Sequence, residues 1–141
     1  MSWLNEIKNF LEDYSGVYPD NPNIDIWKDM HVTGDDFHEM IENYTKEYKI
    51  DMSSYLWYFH TDEEGHNFIG GLFFKPPYKR VKRIPITPKM LSDFVNLKEW
   101  NINYPDHKIP KKRYDLLINR LTILIIISII ILLGIYKLFI I

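Results

Sequence analysis

The chain of 141 residues contains no cysteine. It therefore has no disulfide framework, no thiolate nucleophile and no cysteine-based zinc site. The strings G-x-S-x-G, H-E-x-x-H and G-x-G-x-x-G and the phosphate-binding P-loop are also missing. Since these patterns mark common hydrolases, metalloproteases and nucleotide-binding enzymes, their absence disfavours an enzyme. We expect no catalytic residue, no metal ligand and no cofactor. The length of the chain leaves room for a single soluble domain.

The N-terminal residues lack the basic stretch and apolar run of a secretory signal. The long apolar run lies at 121–141, where Thr122, Ser128 and Lys137 are the polar residues. At about 1.5 Å per residue this segment would span roughly 31 Å, the thickness of the hydrocarbon core of a bilayer. It predicts one transmembrane anchor, because a buried core helix of this composition would be hard to cover in so small a domain.

Basic residues crowd the segment before the apolar run, whereas Lys137 alone lies beyond its middle. The positive-inside rule then predicts a single span with the soluble domain in the cytoplasm and the C-terminus outside. The residues expected at the membrane surface, where they would meet lipid, are Lys111, Lys112, Arg113 and Arg120.

Charge is divided along the chain. Residues 1–69 carry fifteen acids and four bases, and residues 70–120 carry twelve bases and four acids. A basic half beside the anchor would be attracted to anionic lipid. The acidic half argues against a nucleic-acid partner. The alternative is a solvated basic face that the acidic half balances across the fold.

Helical periodicity predicts a mainly α fold. Apolar residues recur at helical spacing over 3–14, with Gly16 as the stop, and Thr87 followed by Pro88 is typical of a helix start. Between the first of these helices and the one that starts at Thr87, a second helix is predicted, with Thr33 as its cap. Its buried stripe is predicted to be Phe37, Met40, Ile41, Tyr44 and Tyr48.

The segments after this second helix are less regular. Residues 55–59 fit either one helical turn or a strand edge, and residues 68–74 are strand-like but interrupted by two glycines. We therefore expect a small irregular or hairpin insertion at about 60–86, and Trp100 closing the core. The predicted organisation is a soluble domain at 1–100, a basic juxtamembrane linker at 101–120 and a transmembrane anchor at 121–141.

A Gly-Asp corner that opens an acidic helix is similar to the corner found in acyl carrier proteins. Here the string runs from Val32 to Met40 (VTGDDFHEM). In carriers the residue after the Asp is the serine that bears phosphopantetheine, and this chain has Asp36 there. The chain also contains five short matches: Gly34-Asp35-Asp36, Tyr48-x-Ile50-Asp51, Tyr58-Phe59, Ile86-Thr87-Pro88-x-Met90-Leu91 and Trp100. This wider pattern resembles an uncharacterised bacterial family that has carrier-like folds and lacks the serine. The resemblance implies a carrier-like helical bundle and no established activity.

The acidic second helix is the leading candidate for function. In carriers this surface is recognised by basic patches on partner proteins, so the resemblance implies a protein-binding role for Asp35, Asp36, Glu39 and Glu42. The alternative is that the first two merely favour the helix dipole. A dense aromatic segment at 55–78 is a second candidate recognition patch, although most of its rings are expected in the core.

Histidines and acids at 60–66 could supply metal ligands, but their spacing matches no established site, and a solvated acidic turn is the common outcome. Together with the resemblance, the sequence favours a non-enzymatic binding module for an unknown protein partner. We expect it to be anchored by a single pass in the inner membrane of a bacterium, with its soluble domain in the cytoplasm. Two alternatives stay open. One is a bacterial immunity protein that neutralises a toxin at the inner membrane. The other is an atypical carrier that uses another serine, such as Ser53 or Ser54.

Overall fold

The computed structural model describes residues 3–64 and 69–140. In these stretches the chain is mainly helical and forms no β-strand. The α-helices found there, numbered in chain order, are α1 (Leu4–Ser15), α2 (Ile26–Asp29), α3 (Gly34–Tyr48), α4 (Gly70–Phe73), α5 (Pro88–Leu97) and α6 (Tyr114–Ile140). Short 3-10 turns occupy Trp57–Phe59 and Pro77–Lys79. The predicted mainly α fold with a long apolar C-terminal helix is confirmed.

The first helix, α1, lies where its periodicity predicts. Ile7 and Leu11 are four residues apart, share one face and are fully buried. Gly16 follows the helix at φ 74°, a left-handed conformation that glycine adopts without a Cβ clash. Its N–H donates to the carbonyl of Glu12 over 2.7 Å, which satisfies one of the last helical carbonyls. The predicted stop at Gly16 is confirmed.

The second long helix, α3, buries its whole predicted stripe. The hydroxyl of Tyr44 donates to the carbonyl of Leu91 over 2.7 Å, which ties α3 to α5 inside the core. Thr33 has the extended backbone of an N-cap, but its side chain makes no capping hydrogen bond, so the predicted side-chain cap is wrong. The buried members of the stripe are Phe37, Met40, Ile41, Tyr44 and Tyr48.

The start of α5 and the closure of the core also follow the sequence. The hydroxyl oxygen of Thr87 accepts a hydrogen bond from the N–H of Met90 over 3.2 Å, and Pro88 occupies the first turn, where it loses no helical bond. Trp100 is 1% exposed, and its ring centroid lies 4.7 Å from that of Phe94. The predicted helix start and the closing tryptophan are confirmed.

The 60–86 segment differs from the strand expectation. Of the two predicted forms, irregular or hairpin, the described residues show the irregular one, interrupted by α4 and a 3-10 turn. Phe68, the first residue of the strand-like run, lies outside the described residues. The N–H of Gly70 donates to Oδ1 of Asn119 over 2.6 Å. A Cβ on Gly70 would lie 1.9 Å from the carbonyl oxygen of Asp115, so glycine permits α4 to contact the α6 backbone. Packing on α6, rather than strand propensity, decides this segment.

The segment predicted as a linker, 101–120, is partly helical and contacts the soluble domain. α6 begins at Tyr114, so residues 114–120 are part of the helix. Upstream, the hydroxyl of Tyr104 accepts a hydrogen bond from Nε1 of Trp100 over 2.9 Å. His107 Nε2 lies 2.8 Å from the hydroxyl of Tyr58. The segment that precedes α6 is therefore attached to the soluble domain by side-chain contacts.

α6 has the length and composition of a membrane span. It has 27 residues, and its apolar window has a mean hydropathy of 2.7. From Ile123 to Phe139 every side chain is exposed, so the domain does not cover this surface. A helix this long and apolar can cross a bilayer, which agrees with an anchor and not with a core helix.

Candidate functional site

The four acids predicted for protein binding are all exposed on α3, but they do not lie together. Asp35, Glu39 and Glu42 line one open groove of about 660 Å³. They share one side of the helix because residues i, i+4 and i+7 are neighbours on its surface. Asp36 does not line this groove, and its backbone carbonyl accepts a hydrogen bond from the hydroxyl of Tyr14 over 2.9 Å.

The opposite wall of this groove is aromatic. Tyr55 and Trp57, from the segment around the first 3-10 turn, face the acids of α3. The ring of His38, on α3 itself, lies 5.6 Å from the ring of Trp57. The acidic helix and the aromatic segment were separate candidates in the sequence, and the structure joins them in one concavity, which we call the acidic groove. No sequence pattern predicts this pairing, because it depends on how the 3-10 turn packs against α3.

A larger groove of about 800 Å³ runs along the other side of α3, between α3 and α1. It carries the exposed acids Glu6, Asp13 and Glu47, with the partly exposed ring of Phe10 in its wall. Exposed acids of α3 therefore line both grooves. The α1–α3 groove contains none of the four acids that the sequence singled out, but it supplies a well-matched comparison surface for experiments.

Charge within the acidic groove is only partly neutralised. Nζ of Lys46 lies 2.7 Å from Oε1 of Glu42, and this hydrogen bond lowers the pKa of the Glu42 carboxyl. Both side chains are well exposed, so the pair is screened by solvent and adds little stability. Asp35 and Glu39 form no ion pair with a residue in the described parts of the chain. The groove is thus suited to attract a basic ligand.

Arg113 also lines the acidic groove, and it pairs with two carboxylates. Its Nη1 and Nη2 donate to both oxygens of Glu63 over 3.0 and 2.7 Å, and its Nε donates to Oδ1 of Asp115 over 2.9 Å. These hydrogen bonds, those to Asp115 above all, raise the pKa of the guanidinium. With its fork shared between two carboxylates, Arg113 joins Glu63 to Asp115, and its place at the membrane surface stays a prediction.

The other three residues predicted at the membrane surface remain available. Lys111 and Lys112 are exposed immediately before α6, and Arg120 is exposed in its second turn. None of the three forms an ion pair with a described residue. Their positions suit contact with lipid headgroups at one end of a span.

Two of the candidate metal ligands at 60–66, His60 and Glu63, have other partners in the structure. His60 is fully buried; its Nδ1 lies 2.9 Å from the carbonyl of Ile84 and its Nε2 lies 2.7 Å from the hydroxyl of Tyr104. Burial lowers the pKa of His60 to about 4. Glu63 is engaged by Arg113, and His66 lies outside the described residues. Within 3–64 and 69–140, no group of three or more His, Asp or Glu side chains is placed to hold a metal ion.

The carrier-like corner lacks an attachment hydroxyl. Asp36 stands at the position of the carrier serine, and a carboxylate cannot form the phosphodiester that a serine hydroxyl forms. Of the alternative serines, Ser54 donates its hydroxyl to the carbonyl of Trp100. Ser53 is exposed in the turn that follows Asp51, whose side chain accepts its N–H over 2.8 Å.

Comparison of the chain with protein-family models, curated proteins and solved structures finds no match. The carrier-like resemblance therefore stays a prediction that depends on the strings quoted above.

Proposed function

We propose that this protein is a membrane-anchored, non-enzymatic module that binds a basic segment of a partner protein in the acidic groove. The observation that supports this proposal is the convergence of Asp35, Glu39 and Glu42 on one wall, facing Trp57 on the other. Carboxylates attract Lys and Arg side chains, and an aromatic ring offers them a large contact area and a cation–π partner. The pairing of these walls suits a basic peptide better than an apolar ligand.

The anchor in this proposal is α6, inserted as a single span in a bacterial inner membrane with the soluble domain in the cytoplasm. The positive-inside rule supports this orientation, since Lys111, Lys112 and Arg120 precede the apolar part of α6 and Lys137 alone follows its middle. Arg113 lines the acidic groove one residue before α6 begins. The groove therefore opens close to the membrane surface, where the basic juxtamembrane segment of another membrane protein would meet it.

The carrier-like resemblance fits this role. In acyl carrier proteins the acidic second helix docks onto partner proteins, and the serine beside it carries the cargo. Here the acidic helix is retained as α3 and the serine position holds Asp36. We infer a module that keeps the docking surface of a carrier and has no prosthetic group.

Site-specific photo-crosslinking in the native cell tests this function. A benzophenone amino acid replaces Trp57 in the acidic groove, and a parallel variant carries it at Phe10 in the α1–α3 groove. We expect a defined protein adduct from position 57 and none from position 10. Absence of an adduct at position 57, or an identical adduct pattern at both positions, would contradict the proposal.

Charge reversal identifies the contribution of the carboxylates. The variant with Asp35→Lys, Glu39→Lys and Glu42→Lys is expected to lose the adduct at position 57. The matched control reverses three exposed acids of the other groove, Glu6, Asp13 and Glu47, and so changes net charge by the same amount. We expect the control to retain the adduct, and circular dichroism verifies that both variants are folded. If the control loses the adduct and the first variant keeps it, the partner binds between α1 and α3 instead.

A further inference from the structure

Two apolar side chains of α4 are almost fully exposed. Leu72 is 82% exposed and Phe73 is 74% exposed, more than any other large apolar side chain described before α6 begins. Burying a Leu or Phe side chain stabilises a protein by about 1.5–3 kcal/mol relative to leaving it in water. Adjacent exposed residues of this size therefore mark a surface that is covered when the protein is in its working environment.

The location of α4 identifies what covers this surface. α4 contacts the first two turns of α6 through Gly70, whose N–H is bound by Asn119, and the ring of Phe74 lies 5.5 Å from the ring of Tyr114. α6 is about 40 Å long at 1.5 Å per residue, which is about 10 Å more than a hydrocarbon core. When the apolar part from Leu121 onward occupies the core, its first turns lie among the lipid headgroups. α4 is held at that same level.

Basic side chains border α4 at the same end of the domain. A pocket of about 150 Å³ lies between the end of α4, the turn at Pro77–Lys79 and the start of α6. Lys75, Arg80 and Lys112 line it, all three are exposed, and none pairs with a carboxylate of the described residues. Nε of Arg80 donates to the carbonyl of Lys75 over 2.7 Å, which holds the guanidinium at the pocket.

We propose that α4 and this pocket form a second membrane contact, separate from the span itself. Leu72 and Phe73 insert into the bilayer interface, and Lys75, Arg80 and Lys112 bind the phosphate of an anionic phospholipid. Apolar insertion combined with nearby cations is the physical pattern of interfacial membrane binding. The surface of α4 is continuous with that of α6, so one bilayer covers both. This inference depends on the proposed anchoring by α6 and adds that the soluble domain lies against the membrane in a fixed orientation.

Spin-label depth measurements test the inference, because the chain has no cysteine and any introduced cysteine is labelled alone. Full-length protein with Phe73→Cys is reconstituted in phosphatidylglycerol bilayers, and the label's accessibility to oxygen and to a water-soluble nickel chelate is compared. Companion labels at Ile130→Cys in α6 and Asn96→Cys, an exposed site on α5, report the span and the aqueous phase. We expect labels 73 and 130 to favour oxygen and label 96 to favour the nickel chelate.

The outcomes separate the two proposals. If label 130 favours oxygen while label 73 favours the nickel chelate as label 96 does, the second contact is refuted and the anchor stands. If label 130 itself favours the nickel chelate, the span is refuted, and the second contact that depends on it is refuted as well.

A lipid comparison tests the basic pocket. In neutral phosphatidylcholine we expect label 73 to be shallower than in phosphatidylglycerol. Lys75→Glu with Lys112→Glu should abolish this difference, whereas the matched control, Lys28→Glu with Lys49→Glu, exposed elsewhere, should preserve it. Two results would overturn the assignment of the pocket to anionic lipid. One is a lipid-dependent difference in label depth that survives Lys75→Glu with Lys112→Glu. The other is the absence of any such difference in the labelled Phe73→Cys protein that retains all its lysines.

Discussion

The buried imidazole of His60 predicts a specific loss of stability in acid. Because the carbonyl of Ile84 can only accept, Nδ1 of His60 carries the proton and donates to it. Nε2 then accepts from the hydroxyl of Tyr104, whose oxygen accepts in turn from Nε1 of Trp100 and from the N–H of Leu56. A second proton on His60 would face a hydroxyl that already accepts two hydrogen bonds, inside a fully buried site.

The sign and size of the effect follow from linkage. The folded-state pKa of His60 is lowered by burial to about 4 from the ordinary 6.5, so the unfolded chain binds the proton more readily. The stabilising effect is complete above pH 6.5 and is lost as the pH falls from 6.5 toward 4. Between pH 7.5 and pH 5 this single group is expected to reduce the free energy of unfolding by about 2 kcal/mol.

Two measurements check this prediction. Denaturant unfolding of the full-length protein in detergent micelles at pH 7.5 and pH 5 gives the stability change, and His60→Gln is the control because an amide does not titrate in this range. We expect the His60→Gln variant to be less stable at pH 7.5 but to lose about 2 kcal/mol less than the native chain on acidification. Nitrogen-15 NMR of the imidazole gives its titration directly. Titration of His60 near 6.5 in the folded protein, or the same acid sensitivity in the variant, would refute the reasoning.

Two further substitutions test the structure elsewhere. Arg113→Ala removes the cation that pairs with Asp115, whose side chain is 4% exposed. This substitution should lower the free energy of unfolding by about 3 kcal/mol in denaturant unfolding, whereas Arg113→Lys, which keeps the charge, should lower it less. Equal losses in the two variants would show that charge pairing is not the cause. Gly34 and Gly16 both have positive φ, at 51° and 74°, but only at Gly34 would a Cβ meet a side chain, that of Glu64. Because the Glu64 side chain is exposed and flexible, it can move away from the new Cβ, and the positive φ decides the cost at both sites. Gly16→Ala and Gly34→Ala should therefore each cost about 1 kcal/mol in the same assay, and a loss much larger at Gly34 than at Gly16 would contradict this account.

The sequence predicts well those elements that local patterns determine. The apolar spacing of α1 and α3, the stop at Gly16 and the Thr87-Pro88 start of α5 are each set by residues within a few positions of one another. α6 is predictable for the same reason, because a long apolar run needs no tertiary context to be identified.

The sequence fails where a distant contact decides the structure. The glycines of α4 look like strand breakers until Gly70 is seen against the α6 backbone. The ion pair of Arg113 is not predictable from a local pattern because Glu63, its partner, is fifty residues away in the chain. The acidic groove escapes prediction likewise, since helical spacing places Asp35 and Glu39 on one side of α3 but gives no information on the Trp57 wall.

Arg113 connects the two proposed surfaces. It lines both the acidic groove and the basic pocket beside α4, and its guanidinium links Glu63 of the soluble domain to Asp115 of α6. A flexible linker at this point would leave the groove free to turn in any direction relative to the bilayer. With Arg113 joining the domain to the helix, and with α4 at the headgroups, the groove would keep one height and one direction at the membrane. We infer that this geometry selects partners whose basic segment lies close to the same membrane, because a basic segment far from the surface would not reach the groove.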